Sequence, residues 1–249
     1  DFIFTRLKET GSKSTSTLSL AADMTAAEIA IPALRYKKSR DKPGNVSMFI
    51  HMDGNRKPQS ITSLVVALPG LRAEGNVTLV NKADGSTGIS DADIKNFKMG
   101  ETQFLAEIRQ ADSALPRIQI KGPYINAASF LPTEKEKAAQ KAAPKPGKKQ
   151  PYEMRIDAAR LSLTPEKHID EVQMYVRKGT DGETEQMEID GIAGEGRIYY
   201  RLFEQDGGHG LTFEAHNAGA ALAALGVTQS VRGGHLIIRG VPVQGGGKY

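Results

Sequence analysis

"EQMEIDGIAGEGRIYYRLFEQDGGHGLTFEAH", residues 185–216, carries the pattern that decides the fold. Apolar side chains recur at every second position: Met187 and Ile189, then Ile198, Tyr200 and Leu202, then Leu211 and Phe213. The positions between them are mostly Glu, Asp, Arg and Thr. A period of two sends alternate side chains to opposite faces of an extended strand. The pattern breaks at "AGEG" and at Asp206-Gly207-Gly208, where glycine and aspartate tolerate the positive φ of a hairpin turn. Strands joined by such short turns form an antiparallel meander, not the strand–helix alternation of a parallel sheet.

The same period extends both ways. Just upstream, "YEMRIDAARLSL" (152–163) offers Met154, Ile156, Leu161 and Leu163, and "EVQMYVRKG" (171–179) offers Val172, Met174 and Val176. Further strands are read in "VSMFIHM" (46–52), "ITSLVVAL" (61–68), "LRAEGNVTLV" (71–80), "TQFLAEIRQ" (102–110) and "RIQIKG" (117–122), with hairpin dipeptides at Asp84-Gly85 and Asp181-Gly182. Downstream, "NAGAALAALG" (217–226) interrupts the series with a short helix. Asn217 stands at its N-cap and Gly226 at the position that favours a left-handed residue. Gly233-Gly234 then turns into a last strand with Leu236 and Ile238. "RIQIKGPYINAASFL" (117–131) has the same passage from strand through Asn-Ala, which places a second short helix at about 126–131. The expected fold is therefore all-β and repeat-built: one domain whose similar halves, 1–133 and 151–249, flank an inserted segment at 134–150.

That segment, "EKEKAAQKAAPKPGKKQ", is rich in Lys, Ala and Pro, has no apolar period, and reads as a flexible surface loop. It also holds most of the net charge of +4, so the remainder is close to neutral and no nucleic-acid groove is expected. There is no cysteine, which excludes a disulfide framework, a thiolate metal cluster and a thiol nucleophile. No apolar run is long enough to span a bilayer, so any export signal or membrane anchor is expected outside this sequence.

Catalytic signatures are missing. His51, His168, His209, His216 and His235 are scattered, with no HExxH-like spacing, and no metal or cofactor is expected from them. Asp91 and Asp93, and Glu188, Asp190 and Glu195, do not follow the offsets of a calcium loop. No nucleophile elbow or phosphate-binding glycine loop is present. Enzyme activity is not expected, and an envelope-glycan hydrolase is the weakest reading. What remains is an apolar face running through nearly every strand: Met154, Ile156, Leu161, Leu163, Val172, Met174, Val176, Met187, Ile189, Ile198, Tyr200, Leu202, Leu211, Phe213, Leu236 and Ile238. Either this face is the packed interior of a sandwich, or the sheet curves around it and leaves a trough.

The order of these elements resembles the C-terminal repeats of the AsmA-like family, with its YhdP and TamB relatives. The resemblance rests on a strand, then Asn217, Ala218 and Gly219, a short Leu/Ala helix with Leu222 and Leu225, the stop at Gly226, and the turn at Gly233 and Gly234. The segment from "LSLAADM" to Tyr36, Lys37, Pro43 and Gly44 resembles the family's opening element, and Asn126 stands where Asp is commoner. The resemblance implies a curved β-groove, or β-taco, in a periplasmic protein of a Gram-negative bacterium, anchored in the inner membrane. It further implies that the sixteen apolar residues above hold phospholipid acyl chains, with a possible partner protein at the outer membrane. On this view helix 217–225 caps the groove with Leu222 and Leu225, or else only connects two strands. An assembly role in outer-membrane protein biogenesis is the alternative function.

Overall fold

The computed structural model describes residues 2–8, 15–81, 86–110, 115–127, 150–164, 167–205 and 208–241. Sixteen strands follow in chain order. The first nine are β1 (Phe2–Lys8), β2 (Ser16–Asp23), β3 (Ile29–Ile31), β4 (Tyr36–Lys38), β5 (Asn45–Met52), β6 (Pro58–Leu68), β7 (Leu71–Asn81), β8 (Thr87–Met99) and β9 (Thr102–Arg109). Then come β10 (Arg117–Asn126), β11 (Tyr152–Thr164), β12 (Lys167–Lys178), β13 (Thr184–Ala193), β14 (Gly196–Gln205), β15 (Gly208–Ala215) and β16 (Leu236–Gly240). Among the described residues one α-helix, α1 (Ala218–Ala224), lies between β15 and β16. Fourteen strands line up in sequence order in one open sheet running from β1 to β16, while β3 and β4 form a separate pair. The protein is all-β and antiparallel, and among the described residues no strand pairing closes the sheet into a barrel.

The chain divides into two compact units, Asp1–Gln119 and Ile120–Tyr249. The Lys/Pro-rich segment 134–150 and the helix expected at about 126–131 lie almost wholly outside the described residues. Asn126 itself ends β10.

In the first unit, bulges bend the sheet. Ser63, at φ 50, is the extra residue where β6 slips against both β5 and β7. Its N–H donates to Asn76 Oδ1 at 3.0 Å, so the bulge is satisfied rather than open. The slip explains why "ITSLVVAL" reads as a continuous apolar run: Ile61, Leu64, Val66 and Leu68 share a face once the bulge is counted. β8 slips twice in the same way against its neighbours, and its apolar positions Ile89, Ala92, Ile94, Phe97 and Met99 lose strict alternation.

The segment from Met24 to Lys38 folds over one end of this unit. Met24, Ile29, Ile31, Leu34 and Tyr36 pack on Leu68, Leu71 and Phe97. Phe97 stacks on Phe104 at 4.4 Å between ring centroids. Lys38 is 2% exposed. Its Nζ donates to the carbonyl oxygens of Thr25 (3.1 Å), Ala27 (2.9 Å) and Ser39 (3.1 Å), so the ammonium holds the loop together from inside. Lys38→Met leaves three carbonyls without their donor and is expected to cost about 2–3 kcal/mol. The measurement is a lower urea midpoint together with faster amide exchange across residues 29–38. An unchanged midpoint would show that the lysine holds nothing.

Candidate functional site

Residues directly opposite one another in antiparallel strands point to the same face, so register places the apolar side chains of the second unit. One row runs Met154, Val176, Met187, Leu202, Leu211 and Gly240 from β11 to β16. The next runs Ile156, Met174, Ile189, Tyr200, Phe213 and Ile238. The third pairs Ala158 with Val172, and Gly191 with Ile198, Ala215 and Leu236. A Cβ at Gly191 would lie 2.7 Å from Ile169 Cγ2 and 3.4 Å from Val172 Cγ2, which joins the two halves of this row. Alternation then slips by one on β12, where Glu171 has φ 52. Beyond the slip Leu161 faces Ile169, and both are buried. Leu163, two residues further along β11, is half-buried.

Burial along this face is graded. Ile156, Leu161, Val172, Val176 and Ile198 are buried, Val172 at 1% and Ile198 at 3%. Met154, Met174, Met187, Ile189, Tyr200, Leu202, Leu211, Phe213 and Leu236 are half-buried, and Ile238 is 47% exposed. Depth is greatest at the end where α1 packs against β12, β13 and β14. Every other substantial contact between described elements of this unit joins neighbouring strands. Within the rows of Met154 and Ile156, Val176 and Ile156 are buried, and the other side chains are half-buried or, at Ile238, exposed.

The helix is built to fit that end. Asn217 Oδ1 accepts from the Ala220 N–H at 3.0 Å, the N-cap bond expected from the sequence. Gly226 has φ +76, and the bonds from Gly226 N–H to Ala223 O (3.0 Å) and Val227 N–H to Leu222 O (2.8 Å) close the last turn. Its buried residues are Ala218, Gly219 and Ala221. Leu222 is half-buried and Leu225 is 40% exposed, so the helix is buried mainly through its small residues. The reason is close approach: a Cβ at Gly194 would come within 2.9 Å of Ala220 Cβ, and one at Gly196 within 2.5 Å of Asn217 Cβ.

The first unit carries a matching face that sequence reading did not assign to the site. Leu18, Ile50, Ile61, Val77, Ala92 and Ile108 form one row across β2 and β5–β9. Its covered end lies under the Met24–Lys38 segment. Each unit thus has an apolar face with a small element folded over one end.

The opposite faces are polar. Thr17 Oγ1 and Thr62 Oγ1 lie 3.0 and 2.8 Å from the two ring nitrogens of His51. Arg197 makes two bonds to Asp190, at 2.8 and 3.0 Å, and Arg160 bonds Asp170 at 2.6 Å. Hydrogen bonds to Asp93, Asp170 and Asp190 hold the guanidiniums of Arg109, Arg160 and Arg197 above their ordinary value. A shallow depression lined by Arg177, Glu185, Gln186, Arg201, Phe203 and Glu204 lies on this polar side. Its Glu185 is already paired with Arg177 at 2.9 Å.

No family model, curated protein or solved structure matches this chain.

Proposed function

We propose that the chain is a lipid-handling segment of an AsmA-like envelope protein, which carries phospholipid acyl chains through the periplasm of a Gram-negative bacterium and so supports outer-membrane integrity. The observation that carries the reading is the row Ile156–Met174–Ile189–Tyr200–Phe213–Ile238, apolar across six strands, half-buried from Met174 to Phe213 and exposed at Ile238. Strands about 4.8 Å apart make such a row roughly 24 Å wide, the length scale of an extended acyl tail.

A sixteen-carbon tail exposed to water costs on the order of 12 kcal/mol at about 0.8 per methylene. A continuous apolar face lowers that cost without tight recognition, while head groups stay in water beyond the rows. Methionines at 154, 174 and 187 add flexible side chains that adapt to a moving tail. Transfer is then passive sliding, with no bond made or broken and no cofactor.

The test is native mass spectrometry and organic extraction of the purified chain. Bound phospholipid is the expected result. A chain that takes up no phospholipid from vesicles, even after delipidation and refolding, overturns the reading. One observation favours the alternative of an assembly role: among the described residues β16 pairs only with β15, and it exposes Ile237 and Ile238, each 47% accessible. An unpaired apolar strand edge is a template for strand addition by a partner. A stable protein complex free of lipid would support that role.

A further inference from the structure

Glu214, His216 and His235 meet on the polar side of the second unit, away from its apolar face. Glu214 lies near the end of β15 and His216 just beyond it, two residues on, where its N–H still bonds Arg197 O at 3.0 Å, so their side chains leave the same side. The pairing of Glu214 with Ile237 and Ala215 with Leu236 carries His235 to the place facing His216. The turn fixes it there. Ala218 N–H donates to Gly234 O at 2.7 Å and Gly219 N–H to Gly233 O at 3.0 Å, with φ 63 at Gly233 and 81 at Gly234.

The distances suit a small cation. His235 Nε2 lies 3.1 Å from Glu214 Oε1, and His216 Nε2 lies 3.6 Å from the same oxygen. One donor atom from each of the three residues lies within 4.8 Å of the others. The imidazoles stand edge to face, with centroids 5.6 Å apart. A tetrahedral ion with bonds of about 2.0–2.1 Å holds its ligand atoms roughly 3.3–3.4 Å apart. The two separations to Glu214 bracket that value, and side-chain rotations that close the third, within 4.8 Å between the histidines, complete the geometry. Two imidazoles and a carboxylate suit zinc-class ions rather than calcium or magnesium, which prefer oxygen alone. All three side chains are open to solvent, which leaves water to fill the fourth position.

We propose that Glu214, His216 and His235 form a three-donor site for a zinc-class divalent cation, which ties strand β16 to β15 where the chain enters α1. Bound metal closes the loop that carries α1, and so steadies both the last strand and the helix that covers the apolar end. The site stands apart from the lipid reading and can hold if that reading fails.

The probe is zinc chloride, titrated by calorimetry into the metal-free, untagged 249-residue chain. Saturable uptake of one ion per chain is expected. H216A and H235A should each weaken it by on the order of tenfold or more, since each removes one of three donors. H209A, at the other end of β15, leaves it unchanged. Zinc should also slow amide exchange in β16 of the unaltered chain and not of H235A. Uptake insensitive to H216A and H235A, or still unsaturated at millimolar zinc, overturns the proposal. Both histidines are more than half exposed, so the variants keep the fold, and far-UV circular dichroism checks this.

Discussion

Ile189→Asp leaves the chain folded and strips it of phospholipid. Ile189 lies between Met174 and Tyr200 in the middle row and is half-buried. In the empty protein the introduced carboxylate keeps much of its water, so the expected loss of stability is only about 1–2 kcal/mol. A tail lying across the row would have to strip that water. Burying an unpaired carboxylate costs several kcal/mol, as much as about five methylenes contribute at about 0.8 each. A penalty near 4 kcal/mol lowers affinity by roughly a thousandfold. The readouts are phospholipid retained after purification and displacement of a fluorescent fatty acid, each set beside the urea midpoint. Ile189→Leu should retain lipid. If Ile189→Asp instead unfolds the chain, the face is a closed interior and the trough reading is lost.

How far the sequence could be read depended on where alternation was intact. Residues 185–216 show strict period two, and their strands fall within a residue or two of the spans read from sequence. β8 was missed because its slips near Ser90 and Lys95 put charged residues where alternation wanted apolar ones. A bulge has no residue signature of its own here: at Ser63 and Glu171 positive φ falls on side chains that do not advertise it. The helix was legible in its caps, Asn217 and Gly226, but not in its contact. Hydrophobicity favours Leu222 and Leu225, whereas the close contacts are Ala220 against Gly194 and Asn217 against Gly196. That signal was present as small residues on both sides of the contact, yet their pairing is tertiary information. The meeting of Glu214, His216 and His235 was hidden for the same reason. It depends on the register across the Gly233-Gly234 turn, and a list of histidine spacings does not contain that register.

The strongest structural contrast lies two residues apart on β12. Val172→Asp is expected to unfold the second unit, while Met174→Asp is tolerated, although both side chains point to the same face. Val172 is 1% exposed, faces Ala158, and nearly touches the space above Gly191. A carboxylate there has neither water nor a cationic partner, because the neighbouring Arg160 and Arg197 are committed to Asp170 and Asp190 on the other side of the sheet. An unpaired buried charge costs about 3–5 kcal/mol, against about 5–15 for a whole domain. The expected result is loss of the cooperative urea transition of this unit, or a midpoint far below that of Met174→Asp. Val172→Ala separates size from charge: it removes volume alone and should keep the transition. Met174 is half-buried on the next row. If Val172→Asp were no less stable than Met174→Asp, the covered end would be as open as the middle. The helix would then be a connector and not a cap.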